Sequence, residues 1–451
     1  MTLLTQRPAG QDTLSPNQQL LPLTAQANAL DHLEIGGCDV VELVARFGSP
    51  LYIVDEVTLR TACQQYQAAF EQYYPGPFQV LYASKAWSCL AICALVSQEG
   101  LGLDVVSGGE LVTALQAGVD PARIYFHGNN KSAPEIDLAI RTGVTLVVDN
   151  DWELEQVCRG AEHAPVRIMV RFTPGLDCHT HAYIRTGQRD SKFGFDLDAL
   201  AGVFQRLAQR PAVQCVGLHA HNGSQIFALE HPQDLAGILV DWMAKGMAYG
   251  LPLTELNVGG GLGIRYTTAD DPPSIAAWVQ TVAKGVASAC QQRQLPLPKL
   301  LCEPGRSIIG PAVVTAYTVG SSKVIPGVRT YVAVDGGMSD NPRPITYQAE
   351  YEAVLANRLG AAATETVTVA GKHCESGDIL IQTAHLPPTV PGDVLVVLAT
   401  GAYNASMASN YNRVPRPAAV LVHASEASLI VRRETYTDLL RQDCLPSRLA
   451  P

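Results

Sequence analysis

Charge is what this sequence has least of. Only 16% of its 451 residues are Asp, Glu, Lys or Arg, and the net charge is -10. There is no basic stripe, which excludes a phosphate-backbone partner and so any nucleic acid. The negative balance repels an anionic membrane surface, and no apolar run is long enough to span a bilayer. The 11 cysteines are odd in number, and they contain neither a C-x-x-C motif nor evenly spaced pairs. That excludes a disulfide framework and reads as reduced thiols in a cytoplasmic enzyme. Residues 1–30 lack a continuous apolar core and carry Pro8, Pro16 and Pro22. They are therefore no signal peptide and read as a loose N-terminal extension.

What is present is hydrophobic mass, at 47% of residues. That is enough for a large core, and the length calls for two or three domains. Residues 31–49 read as a short strand and a helix ending at Gly48, a segment expected to pack with the later β domain. From residue 50 to 312 a rhythm sets in. Eight short β-rich runs (79–83, 102–105, 123–126, 145–148, 167–172, 214–219, 255–258 and 299–302) mostly leave room for a helix between them. Alternation of this kind implies a parallel sheet, and eight units imply a closed (β/α)8 TIM-like barrel. From 313 to 451 helical patterns largely stop. Runs rich in Val with Gly, Pro, Asn and Asp at the turns predict an all-β domain, a sandwich or barrel. The fold class is thus α/β plus all-β.

A barrel of this type carries its chemistry at the C-terminal ends of its strands. Those ends hold Lys85, Asp104, His127, Asp149, Arg171, His219 with His221 and Ser224, Gly259–Gly261, and Glu303 with Arg306. A lysine there can form a Schiff base with an aldehyde. Gly259, Gly260 and Gly261 let bare backbone N–H groups approach a phosphate. Glu303 suits a protonated pyridine nitrogen. Aldehyde, phosphate and pyridinium together describe pyridoxal phosphate. Each residue alone has a plainer reading, as surface lysine, tight turn or solvated acid; their joint placement favours the cofactor. His219 and His221, two apart on a strand, read as one packed ring and one stacked on the cofactor rather than as a metal pair. Cys178-His179-Thr180-His181 also resembles a ligand cluster, but no metal is expected.

With these motifs the chain resembles the pyridoxal-phosphate-dependent decarboxylases built on an alanine-racemase-like barrel (fold type III), and among them the branch acting on meso-diaminopimelate. The likeness runs from about Gly48 to Val422. It is carried by Tyr82-Ala83-Ser84-Lys85-Ala86, Ser191-Lys192-Phe193-Gly194-Phe195 and His219-Ala220-His221-Asn222-Gly223-Ser224-Gln225. Gly259–Gly261, Glu303-Pro304-Gly305-Arg306, Asn341-Pro342-Arg343-Pro344 and Cys374-Glu375-Ser376-Gly377-Asp378 complete it. The resemblance implies Lys85, Cys374 and His221 as catalytic residues. It implies Ser224, the three glycines, Glu303 and Tyr403 as further cofactor contacts. It also implies that Cys374 and Glu375 are lent to a neighbouring subunit, making a homodimer with shared active sites.

The substrate is then a small amino acid. A distal carboxylate calls for arginine, whose planar fork pairs with it in bidentate fashion. Arg306 and Arg343, helped by Tyr347 and Tyr403, are the expected substrate contacts, with Glu375 for a distal ammonium. A decarboxylase of another basic amino acid (arginine, ornithine or carboxynorspermidine) is the alternative. It would share Lys85 and Glu303 and differ around Arg343 and Glu375.

Overall fold

Short, mostly buried apolar runs belong to a parallel sheet covered on both faces, and eight of them here make one. In the computed structural model, which describes residues 15–162, 164–175 and 191–449, the strands are Phe78–Ala83, Gly102–Val105, Ile124–Phe126, Thr145–Val148, Val166–Arg171, Val213–His219, Glu255–Asn257 and Lys299–Cys302. They form a closed barrel. The eighth strand returns to the first, with Leu300 opposite Phe78 and Cys302 opposite Val80. Helices fill the crossovers and are stopped by local chemistry. Ala133–Thr142, for example, starts at a Ser132–Glu135 capping box and ends on left-handed Gly143.

The barrel interior explains where the polar residues go. Leu81, Tyr125, Val147, Met169, Val216 and Leu301 form a small separate cluster of buried side chains. Strand residues two apart face the same side. Two positions past Tyr125, Val147, Met169 and Leu301 stand His127, Asp149, Arg171 and Glu303. The apolar plug is therefore the floor of a site, and the next inward-facing layer is the site itself. The sixth strand reaches this layer one residue late, because its register slips between Cys215 and Gly217. His219 consequently stands three residues beyond Val216.

The second domain is built on the long strand Val313–Ile325. It pairs antiparallel with Arg329–Val334, Val394–Val397 and Leu51–Asp55. The Leu51–Asp55 strand also pairs in parallel with Ala418–His423. This corrects the expected domain boundary at residue 50: Leu51–Asp55 belongs to the β sheet, and the chain enters the barrel through the following helix, Glu56–Tyr73. Two further strands, Ala353–Leu355 and Ile379–Leu386, were not foreseen. Leu33, Ile35, Val40 and Leu43 pack with Leu51, Ile53, Val314, Val396 and Val420 in one buried cluster.

A second correction concerns the N-terminus. Residues 15–30 are not loose: Ser15, Asn17, Leu20, Leu21 and Ala25 are buried. Their few apolar side chains join the same cluster, and Asn17 is tied by hydrogen bonds to the barrel. No helix among the described residues is long and apolar enough to cross a membrane.

Candidate active site

Above the floor lies a cavity of 880 Å³, open at one side. Lys85 follows the first strand in a single 3-10 turn, Ser84–Ala86. Its side chain lines the cavity and is accessible from it. Among the described residues it makes no ion pair. Burial disfavours its charge, but Asp104, Tyr403 and Glu303 together outweigh this and hold its pKa above the ordinary value. The turn is held from the β domain, because Tyr403 donates its backbone N–H to Ala86 O at 2.9 Å.

Glu303, which follows the strand beside the one that carries Lys85, is buried. Asn257 Nδ2 donates to its Oε1 at 2.6 Å, His219 Nε2 lies 3.2 Å from its Oε2, and His127 Nε2 lies 2.8 Å from Oε1. Burial would raise this carboxyl, but the two histidines hold it well below the usual range, so it is an anion. Burial pushes His219 down to about 4; it therefore helps as a neutral hydrogen-bond donor. His127, His219 and Glu303 are also the group among the described residues dense enough to suit a metal ion. The Cys178–His181 segment lies outside the described residues.

The three glycines stand where side chains have no room. A Cβ on Gly259, whose φ is +67°, would come within 2.5 Å of His221 Nδ1, and one on Gly260 within 2.3 Å of the Glu303 carbonyl. Gly260 N–H donates to His221 Nδ1 at 3.1 Å, while burial, with the Lys85 charge next, keeps that ring neutral. Asn257 links the two halves: its amide binds Glu303, and its Oδ1 accepts from Gly259 N–H at 2.9 Å.

Two arginines close the far side. Arg306 donates to Ser224 Oγ at 2.8 Å and to Tyr266 OH at 2.5 Å, and its guanidinium lies 4.8 Å from the Tyr403 ring. Arg343 donates to Tyr351 OH at 2.6 Å and lies over Tyr266 at 4.7 Å. Both are buried, and among the described residues neither is paired with an acid. A buried guanidinium without a counter-ion is costly, so this wall calls for anionic ligand groups. Tyr347 lines the same cavity.

Lys85, His221, Ser224, Gly261, Glu303, Arg306, Arg343, Tyr347 and Tyr403 thus share one cavity, which Gly259 and Gly260 precede without lining it. Cys374 and Glu375 are exposed and do not line it. Tyr266, Tyr351 and Asn257 were not read from the sequence. Asn257 sits two residues before the glycine run, a position that was readable; Tyr266 and Tyr351 lie in irregular segments without a motif. The donor set fits pyridoxal phosphate: an accessible amine, a buried carboxylate anion and a glycine cradle beside Ser224 and Arg306.

These features define a pyridoxal-dependent decarboxylase, and residues 57–310 match the family model described as the pyridoxal binding domain of that class. The chain is 62% identical to diaminopimelate decarboxylase of Synechocystis sp. over 96% of its length and 95% of that protein. It is 46% identical to the Bacillus subtilis enzyme of the same name, covering 93% and 97%. A crystal structure of diaminopimelate decarboxylase from M. jannaschii in complex with L-lysine superposes with a TM-score of 0.88 at 32% identity, covering 96% of this chain and 100% of that one. The chain belongs to the diaminopimelate decarboxylases.

Proposed function

We propose that this chain decarboxylates meso-2,6-diaminopimelate to L-lysine and CO2, the last step of lysine synthesis, as a cytoplasmic homodimer carrying pyridoxal phosphate. The observation that carries the substrate assignment is the pair of buried arginines, without acidic partners among the described residues, in a cavity that also holds Lys85 and Glu303. Ornithine and lysine have no distal carboxylate to answer such a pair.

In this reading Lys85 supplies the amine for the cofactor aldehyde. The backbone of Gly259–Gly261, with Ser224 and Tyr403, takes the phosphate, and His221 covers one face of the ring. Glu303, kept anionic by its neighbours, holds the proton on the ring nitrogen. Pyridoxal phosphate, when bound, supplies the electron withdrawal that lets the α-carbon part from CO2. Arg306 and Arg343, with Tyr347, orient the distal carboxylate and so present the other end of the molecule for reaction. Cys374 of a second copy is the proton donor to the carbon left behind, and Glu375 of that copy meets the distal ammonium. The cytoplasmic assignment rests on the ten described cysteines, all free thiols.

The test is direct. Purified protein with pyridoxal phosphate and meso-diaminopimelate should release CO2 and lysine in equal amounts and leave ornithine and arginine untouched. Turnover of ornithine or arginine in preference to diaminopimelate would move the assignment to the related decarboxylases. Borohydride reduction followed by peptide mapping should place the cofactor on Lys85, and an adduct on another lysine would refute that role.

A further inference from the structure

The N-terminal segment reaches a place that its sequence does not announce. Asn17 is fully buried. Its side-chain amide donates to Gly263 O at 3.1 Å and to Pro273 O at 2.8 Å. Its backbone carbonyl accepts from Arg265 N–H at 2.9 Å. Next to it, Gln18 Nε2 donates to Pro272 O at 2.9 Å, and Ile275 N–H lies 3.4 Å from Ser15 Oγ. One asparagine thus clasps both ends of the excursion that follows the seventh barrel strand. That excursion carries Tyr266, Thr267 and Asp270, which all line the cavity.

Tyr266 is the important member. Its hydroxyl accepts from Arg306, its ring lies under Arg343, and Tyr351, which holds Arg343, packs edge-on against it at 5.3 Å. The separation and aim of the two arginines therefore depend on where Tyr266 stands. Within the excursion, Tyr266 N–H and Thr267 N–H both bind Asp270 Oδ2, so the loop moves as a unit anchored at its ends. One anchor is Gln225, which binds Ile264 through both its amide atoms. The other is Asn17.

We infer that Asn17 is a positioning residue for substrate recognition: by clasping Gly263, Arg265 and Pro273 it holds Tyr266, and through Tyr266 the anion-binding pair Arg306 and Arg343, in register. The inference rests on the proposed function only for the identity of the anion. It assigns the N-terminal segment to the active site, although no described residue of that segment lines the cavity.

Asn17→Asp keeps the shape and loses the two donors. The expected result is a rise in KM for meso-diaminopimelate of roughly tenfold, the size of a misplaced hydrogen bond to a charged group, with kcat changed less. Hydrogen exchange at the Gly263 and Arg265 amides should quicken. Tyr266→Phe should raise KM in the same direction, and the double variant should show less than the product of the two effects, because both act on one contact. Gln18→Ala, a milder cut in the same clasp, replaces Asn17→Asp if that variant does not fold, with the same expected direction. Unchanged KM in folded variants, unchanged exchange, or independent effects of Asn17 and Tyr266 would overturn the inference. The exchange measurement uses no substrate. A wild-type protein inactive on diaminopimelate would sink the functional reading, while exchange would still decide the clasp.

Discussion

Arg343 shows how a single side chain can be half legible in a sequence. Its neighbourhood, Asn341-Pro342-Arg343-Pro344, marks it as functional, but nothing there shows what holds the guanidinium. In the structure it is buried, stacked on Tyr266 and bonded to Tyr351, and these tyrosines raise its pKa further despite burial. It is a permanent cation, presented flat. Arg343→Ala should therefore raise KM for meso-diaminopimelate strongly. Leaving a charged partner unpaired in such a site costs about 2–5 kcal/mol, at about 1.4 kcal/mol per factor of ten. Retention of the cofactor through dialysis should be unaffected, since Lys85, the glycines and Glu303 are untouched. Arg343→Lys should restore little, because an ammonium neither stacks nor forks as a guanidinium does. Steady-state kinetics on the two variants decide the point: an unchanged KM in Arg343→Ala removes the distal-carboxylate role.

At the scale of elements, the barrel strands were readable because each is a short apolar run between turn residues, and the polar rim follows from counting two residues past the buried floor. The bulge in the sixth strand was not readable, since a register slip leaves no mark in an apolar pattern. It lies beside Gly217, where a Cβ would meet Glu255 O at 2.3 Å and Met169 Cε at 2.7 Å. Gly217→Ala should destabilise the fold by roughly 1–3 kcal/mol through overpacking and displace His219 from Glu303, measurable as a lower urea midpoint. The missed strand Ile379–Leu386 has adjacent exposed residues, Gln382 and Thr383, that break its alternation. Ala353–Leu355 has three residues, too few to show a period. The β domain also contains a buried carboxyl, Asp340, bonded to Tyr317 OH and Gly337 N–H. Burial pushes its pKa up to about 7 from 3.8. A carboxyl that stays neutral in the fold but ionises when unfolded favours folding at low pH. That contribution is whole below the unfolded value and is lost as pH climbs to about 7. The loss is about 4 kcal/mol. Asp340→Asn should thus flatten the decline in stability between pH 4 and 7, and equal slopes for variant and wild type would refute it.

For the whole molecule, one chain gives an incomplete site by the proposed chemistry. The cavity has its cations, its cofactor groups and an open side, but Cys374 and Glu375 are exposed and do not line it. The segment bearing them is nevertheless well held. Its backbone is pinned by Asp378, which accepts from His373 N–H at 2.8 Å and from Met338 N–H at 2.6 Å. Cys374 N–H donates to Asn412 Oδ1 at 2.8 Å, and the His373 ring stacks on Tyr411. An exposed thiol and carboxylate on a braced turn suit delivery to another surface. Lys85→Ala and Cys374→Ala chains, each inactive alone, should therefore regain activity when mixed under conditions that exchange subunits. In a two-fold dimer that pools residues across its interface, half of the dimers become hybrids with one intact site each, so recovery should approach about a quarter of the wild-type rate. Hybrids shown by mass to have formed, yet inactive, would place Cys374 in the site of its own chain and overturn the sharing of sites.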